Sequence, residues 1–179
     1  MTALVNQAKV SSTHITRDPV LAPSMRKFRI RGATINDLDV LVRQRHAMFE
    51  EMRHRTASEH RIGDDSFRRW AASRIRSGSL RCYLAILRDG KVVAGGCVWL
   101  RPVQPGPGWA GGVEPYLLSM YTEPEFRRMG LATAIVKEAV RWARGEGYQW
   151  MNLHASRAGR RIYKKMGWRR SWEMEIDLD

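Results

Sequence analysis

Tyr116-Leu117-Leu118-Ser119-Met120-Tyr121-Thr122-Glu123-Pro124-Glu125-Phe126-Arg127-Arg128-Met129-Gly130-Leu131-Ala132 is the stretch that decides the fold. It opens as an apolar, strand-like run and closes as Arg-x-x-Gly-x-Ala. Beyond it, Leu131, Ile135, Ala139, Val140 and Ala143 recur at helical spacing. A strand, a glycine-containing turn and a helix in that order aim backbone N–H groups at an anion. The first amides of a helix have no internal partner, and the macrodipole places partial positive charge there. Gly130 lets the backbone approach a phosphate with no Cβ in the way. Arg127 and Arg128 add charge-assisted donors. The residues therefore read as a pyrophosphate-binding turn. The hexapeptide alone also fits an ordinary strand-to-helix connection with a basic rim. The turn is neither of the commoner phosphate loops, G-x-x-x-x-G-K-[ST] and G-x-G-x-x-G.

A second motif follows thirty residues downstream, Ile162-Tyr163-Lys164-Lys165-Met166-Gly167-Trp168. Together the two resemble the GCN5-related N-acetyltransferases. That family's acetyl-CoA loop is [Q/R]-x-x-G-x-[G/A], and it closes on a Tyr followed four residues later by Gly and an aromatic. The resemblance covers roughly residues 27 to 179. Ser156 stands where the family often carries Asn, seven residues before the Tyr. Serine can cap the last helix.

Size and composition set bounds. A chain of 179 residues is one domain with room for a core. No apolar run approaches the ~20 residues of a membrane span, and the first 25 residues lack the apolar core of a signal peptide. Residues 1–25 read as a flexible extension or added leader, residues 26–179 as the acetyltransferase domain, and the cytoplasm as the expected compartment. Two cysteines are too few for a disulfide framework or a zinc site. If Asp89-Gly90 forms a hairpin turn, partners sum to 179 and Cys82 faces Cys97. Adjacent reduced thiols are expected.

Net charge is 31 − 18 = +13, and between Arg127 and Arg170 twelve Lys/Arg stand against two Glu. A cofactor with several phosphates accounts for part of this. Nucleic acid or an acidic protein surface is the other reading.

The pattern along the chain predicts a strand at Lys27–Arg31, then a capping box from Thr34 to Asp37. Leu38, Leu41, Arg45, Met48, Phe49 and Met52 predict a helix. A polar connection, Arg53 to Gly63, leads to a second helix over Asp65–Arg76. Leu80–Arg88 and Lys91–Leu100 read as hairpin strands. Arg101 to Gly112, with three Pro and four Gly, reads as a loop. The fourth strand spans Glu114–Thr122, the long helix runs to Arg144, and Gly145-Glu146-Gly147 stops it. Tyr148–Ala155 reads as a fifth strand, Arg157–Lys165 as a helix and Trp172–Leu178 as a last strand. This order matches the fold that the resemblance implies. That fold is α/β, with a mixed, mostly antiparallel central sheet flanked by helices and splayed fourth and fifth strands. The pantetheine arm enters the splay.

Acetyl transfer from a thioester to an amine needs positioning, proton loss from the ammonium, oxyanion stabilisation and a proton for the leaving thiolate. The resemblance assigns phosphate binding to the turn, through Arg127 and the backbone of Arg128, Met129, Gly130, Leu131, Ala132 and Thr133. It assigns the pantetheine to the strand edge at Met120 and Thr122, with Ser156 close to the cofactor. Tyr163 is the expected acid, since a phenol with a pKa of about 10 keeps its proton at neutral pH. Glu114, which would share a strand face with Tyr116, Leu118 and Met120, is the candidate base. His154, Glu50 and Glu51 read as structural or surface residues. Trp109 could line an acceptor site on a rim formed by residues 53–63 and 101–112. The sequence predicts an acetyl-CoA-dependent N-acetyltransferase using acetyl-CoA as co-substrate and no metal. Its acceptor is a small-molecule or protein primary amine, and the chain is a monomer or homodimer. A non-catalytic acetyl-CoA sensor or nucleic-acid-binding module is the alternative.

Overall fold

The computed structural model describes residues 28–52, 56–106 and 111–176. Five strands form one sheet in chain order. They are β1 (Phe28–Gly32), β2 (Leu80–Leu87), β3 (Val92–Pro102), β4 (Val113–Thr122) and β5 (Asn152–Leu153). All neighbours pair antiparallel except β4 and β5, which are parallel. Two helices, α1 (Leu38–Met52) and α2 (Ala57–Arg76), follow β1, while α3 (Leu131–Gly145) joins β4 to β5 and α4 (Arg160–Lys165) follows β5.

Helices cover both sheet faces. Leu41, Val42, Phe67 and Ala71 pack with Cys82, Leu84 and Ile86 on one face. Leu131, Ile135, Val136 and Ala139 pack with Tyr83, Ala85 and Leu87 on the other. This is why β2 is apolar at nearly every position: its side chains alternate between two buried layers. Truncating Leu131 or Ile135 to Ala would cost about 2–5 kcal/mol.

Leu80 lies opposite Trp99 and Cys82 opposite Cys97, as expected. Asp89-Gly90 is not a two-residue turn, however. The Leu87 N–H meets the Lys91 carbonyl at 2.9 Å across a three-residue loop, Ile86 pairs with Val92, and a bulge after Ala85 restores the register. The structure joins the Cys82 and Cys97 sulfurs as a disulfide, where free thiols were expected. The Thr34 capping box also forms, with the Thr34 N–H donating to Asp37 Oδ2 at 2.8 Å. Arg31 clamps the same carboxylate at 2.6 and 2.8 Å. That guanidinium, followed by local backbone and hydroxyl donors, outweighs the opposing effect of burial and holds the Asp37 carboxyl at about 2.

Three expectations fail. The stretch read as polar connection is helical from Ala57, because Thr56 and Glu59 form their own capping box. Residues 53–55 lie outside the described residues. The fifth strand shrinks from Tyr148–Ala155 to Asn152–Leu153, since only Tyr116 and Leu117 offer it a ladder. The last strand is absent over residues 172–176, where no neighbouring strand accepts its backbone.

Candidate functional site

The site lies where β4 leaves β5 and turns into α3. Pairing between β4 and β5 is confined to Tyr116 with Asn152 and Leu117 with Leu153. From Leu118 to Thr122 the outer edge of β4 has no strand beside it among the described residues. The splay is therefore real, and it leaves a run of backbone N–H and C=O groups for an extended ligand to pair with.

A bulge shapes this edge. Gly95 pairs with Tyr121 and Cys97 with Leu118, so Ser119 and Met120 together oppose Gly96. Ser119 takes φ 51° to accommodate the extra residue. The partner strand is glycine there for a steric reason. A Cβ on Gly96 would lie 2.1 Å from Met120 Sδ, and one on Gly95 would lie 2.2 Å from Gln44 Oε1. The bulge resets the alternation of β4. Leu118 packs towards α1 and α2, whereas Met120 packs towards α3 with Leu131 and Ile135. Met120 therefore does not share the face of Leu118, as simple alternation predicted.

A 3₁₀ turn at Pro124–Phe126 carries the chain from β4 to the anion-binding candidate. Arg128 has φ 65°, and Gly130, the residue before α3, has φ 82° and ψ 3°. The helix has no side-chain cap and no acidic residue in its first turn. Ala134 N–H makes the first helical bond, to the Gly130 carbonyl at 2.9 Å. The N–H groups of Leu131, Ala132 and Thr133 thus precede the internal ladder and receive no capping oxygen. Nothing lies within 4 Å of where a Gly130 Cβ would be, so the approach is open.

Arg127 does something different from what the sequence suggested. Its Nε donates to the Thr122 carbonyl at 3.0 Å, and its Nη2 pairs with Glu51 at the end of α1. It ties helix, strand end and turn together, and leaves the exposed Arg128 as the freer cation. Met129 and Leu131 point into the core that also holds Met120 and Tyr163.

The fold thus brings Tyr163 into the same cluster as three of the cofactor candidates. Its ring meets Trp168 edge-on at 5.7 Å between centroids. Burial pushes its hydroxyl up to about 12. Ser156 sits just ahead of α4, where its Oγ accepts from the Gly159 N–H at 3.2 Å, a turn-stabilising use of the side chain.

Glu114 is 6% exposed and fully engaged. Arg101 donates through Nε at 2.9 Å and through Nη2 to one oxygen. Asn152 Nδ2 at 2.9 Å and Trp150 Nε1 at 3.3 Å donate to the other. Four donors fill the roughly four acceptor positions of a carboxylate. Sequence reading found Glu114 but missed this brace, because its partners come from β3, β5 and the segment before β5. A shallow depression beside Glu114, lined by Val113, Pro115, Tyr148, Gln149 and Trp150, lies at the far end of β4 from the turn. Trp109 lies outside the described residues.

A two-faced mixed sheet with splayed β4 and β5 beside an uncapped turn is the acyl-CoA N-acyltransferase fold. Residues 45–168 match the acetyltransferase (GNAT) family, and the chain belongs to it. A GCN5-related N-acetyltransferase from Ralstonia eutropha is similar over 85% of this chain and 99% of its own, with 28% identity and a TM-score of 0.77. A predicted acetyltransferase with acetyl-CoA from Clostridium acetobutylicum shares the fold at TM-score 0.75, with 24% identity over 86% of this chain and 96% of its own. Glucosamine-6-phosphate N-acetyltransferase from Arabidopsis thaliana does so at 0.63, with 20% identity over 86% and 99%. No curated protein matches the sequence. Family and fold together support acetyltransferase activity. Among the described residues no helix is long and apolar enough to cross a membrane.

Proposed function

We propose that the protein is an acetyl-CoA-dependent N-acetyltransferase that moves an acetyl group to a primary amine by direct attack. The observation that carries this reading is the start of α3: three N–H groups without a cap, at a positive-φ glycine, beside the unpaired edge of β4. Helix starts are normally capped by an oxygen. One left bare and open suits an oxyanion ligand, and the splayed edge suits an extended amide-bearing arm.

The residues divide the work as follows. Leu131, Ala132 and Thr133 hold phosphate oxygens through backbone N–H groups, and Arg128 adds charge. Met120 to Thr122 offer backbone groups to the arm. Acetyl-CoA, when bound, supplies an activated thioester. Tyr163 keeps its proton at neutral pH and offers it as a hydrogen bond to the leaving sulfur. A phenol at about 12 holds its proton more tightly than a thiol near 8.5. The proton is therefore shared with the sulfur and not surrendered early. Glu114, with both oxygens occupied, acts as a positioning residue that braces the closed end of the splay, where β4 and β5 still pair. Before attack the acceptor ammonium gives up one proton to solvent, and its nitrogen loses a second as the C–S bond breaks, which balances the proton that the leaving sulfur finally carries.

The acceptor is a small-molecule or protein amine of neutral or negative overall charge, since a chain of net charge +13 repels polycations. Thermal shift with acetyl-CoA, CoA and RNA, followed by an acceptor screen for thiol release, tests this. Stabilisation by RNA and not by acetyl-CoA would favour the binding-module alternative and defeat the proposal.

A further inference from the structure

The outer face of α4 works against the electrostatics of its own fold. Tyr163 and Met166 form the inner stripe of this helix and pack on the core beneath α3. On the opposite side Arg160, Arg161, Lys164 and Lys165 are all exposed, and Arg157 is exposed just ahead of them. Arg160 with Lys164 and Arg161 with Lys165 are i,i+4 neighbours, and like charges at that spacing are destabilising. Arg160 and Arg161 also open the helix, where the macrodipole disfavours a cation, and no acid stands in that turn. A face kept only for solubility would gain stability from Glu at 160 and 161, one turn ahead of the two lysines.

Elsewhere the surface cations are matched. Arg43 pairs with Glu123, Arg68 with Asp39 and Arg141 with Glu138. No Asp or Glu occurs over residues 157–165. Among the described residues none of the five cations there has an acidic partner. Charge is thus segregated onto one helix face, at a position where segregation costs the free protein stability.

We propose that this face is a docking surface for a nucleic-acid chain. Two rows of cations call for an anion of matching density. A phosphodiester backbone carries its charges without interruption, whereas a folded protein surface intersperses both signs. Arg157, Arg160 and Arg161 can each hold two phosphate oxygens through parallel N–H groups. Binding releases the condensed counterions of the nucleic acid and screens the repulsion along α4, so the strain of the free helix is relieved in the complex. The docking face lies one helix diameter, about 10 Å, from the side that carries Tyr163, so a docked chain lies near the proposed transfer site. The surface is additional to the transfer reaction and does not depend on it.

The test is fluorescence anisotropy of the full chain with a labelled single-stranded RNA, a DNA of the same sequence and poly-glutamate, over a salt series. The expected result is binding of nucleic acid, the tighter of the two naming its source, with poly-glutamate much weaker. Arg160→Gln, Arg161→Gln, Lys164→Gln and Lys165→Gln together should weaken binding at about 0.1 M salt by at least about thirtyfold, and reduce the slope of log K on log salt by about three. Arg29→Gln, Arg76→Gln, Arg88→Gln and Arg144→Gln remove the same charge elsewhere and should weaken it less than about threefold. Arg160→Glu with Arg161→Glu should raise Tm by about 1–4 °C while abolishing binding, the reverse of what a structural role for these arginines gives. A parent that binds neither nucleic acid overturns the proposal, as does poly-glutamate bound equally tightly, an equal loss in the two Gln variants, or a lowered Tm in the Glu variant. So does an acetyl-CoA thermal shift present in the parent and lost in the α4 Gln variant, which would give the face to the cofactor.

Discussion

Gly130→Val separates two properties of the turn that glycine combines. Gly130 holds φ 82°, and a Cβ there would meet nothing within 4 Å. The folding cost is therefore backbone alone, about 1–2 kcal/mol for a residue forced into the left-handed region. For a chain of this size that lowers Tm by about 2–8 °C. The binding cost is separate. The valine side chain stands in the open space in front of Leu131, Ala132 and Thr133, where the proposed phosphates dock. Hydrogen bonds to a charged group contribute about 1.5–3 kcal/mol each. Losing two weakens binding by roughly 10²–10⁴-fold. The assay is a thermal shift. With acetyl-CoA at a hundred times its Kd the parent gains about 2.7 kcal/mol, and a variant weakened a hundredfold gains only about 0.4 kcal/mol. The parent's shift is then several degrees and the variant's about one degree. Gly130→Asn is the control, since Asn tolerates the left-handed region. It should recover most of the Tm and still bind poorly. A folded Gly130→Val protein that shifts as far as the parent would refute the assignment of the turn.

Three further outcomes are expected. Tyr163→Phe should lower kcat by about 10²-fold, the low end for proton-donor help, with KM little changed; an unchanged kcat under chemistry-limited conditions removes Tyr163 from the mechanism. Glu114→Gln turns an acceptor that four donors need into a partial donor. It should cost about 2–4 kcal/mol in a chemical melt and reduce kcat per folded molecule less than tenfold, so a large loss of kcat at unchanged stability would make Glu114 the base after all. Asp37 has its carboxyl at about 2, well below its ordinary 3.8. Its stabilisation is complete above the unfolded value and is lost as pH falls from about 4 towards 2; acid melts should therefore show a steeper decline for the parent than for Asp37→Asn, and parallel curves would contradict the clamp by Arg31.

What the sequence disclosed and what it hid follow a physical rule. Contacts set by local chemistry were readable. Asp89-Gly90 marked the β2–β3 hairpin, although its loop is one residue longer than a two-residue turn and a bulge restores the register that sets Cys82 against Cys97, and Gly130 marked the turn ahead of α3. The start of α2 was also readable in principle, because Thr56-Ala57-Ser58-Glu59 is a capping box, but polar composition masked it. Features that need two distant segments were not readable. The bulge at Ser119 depends on what lies across from it, and its one trace is the consecutive pair Gly95-Gly96. The four donors to Glu114 come from positions 13 to 38 residues away. The Trp172 segment shows the converse. It was read as a strand, and none forms over residues 172–176, because a strand also requires a neighbour and residue type within one segment does not supply one.

The bare start of α3 has an evolutionary consequence. An acidic residue at Ala132 or Thr133 would stabilise the ligand-free helix by about 0.3–1 kcal/mol through the macrodipole, while placing negative charge where the phosphates are proposed to sit. Stability and binding thus pull this turn in opposite directions. A lineage that ceased to use the cofactor would be free to take the stabilising substitution. On the proposed reading, an acidic residue arising in the first turn of α3 would accompany the loss of phosphate binding in a descendant.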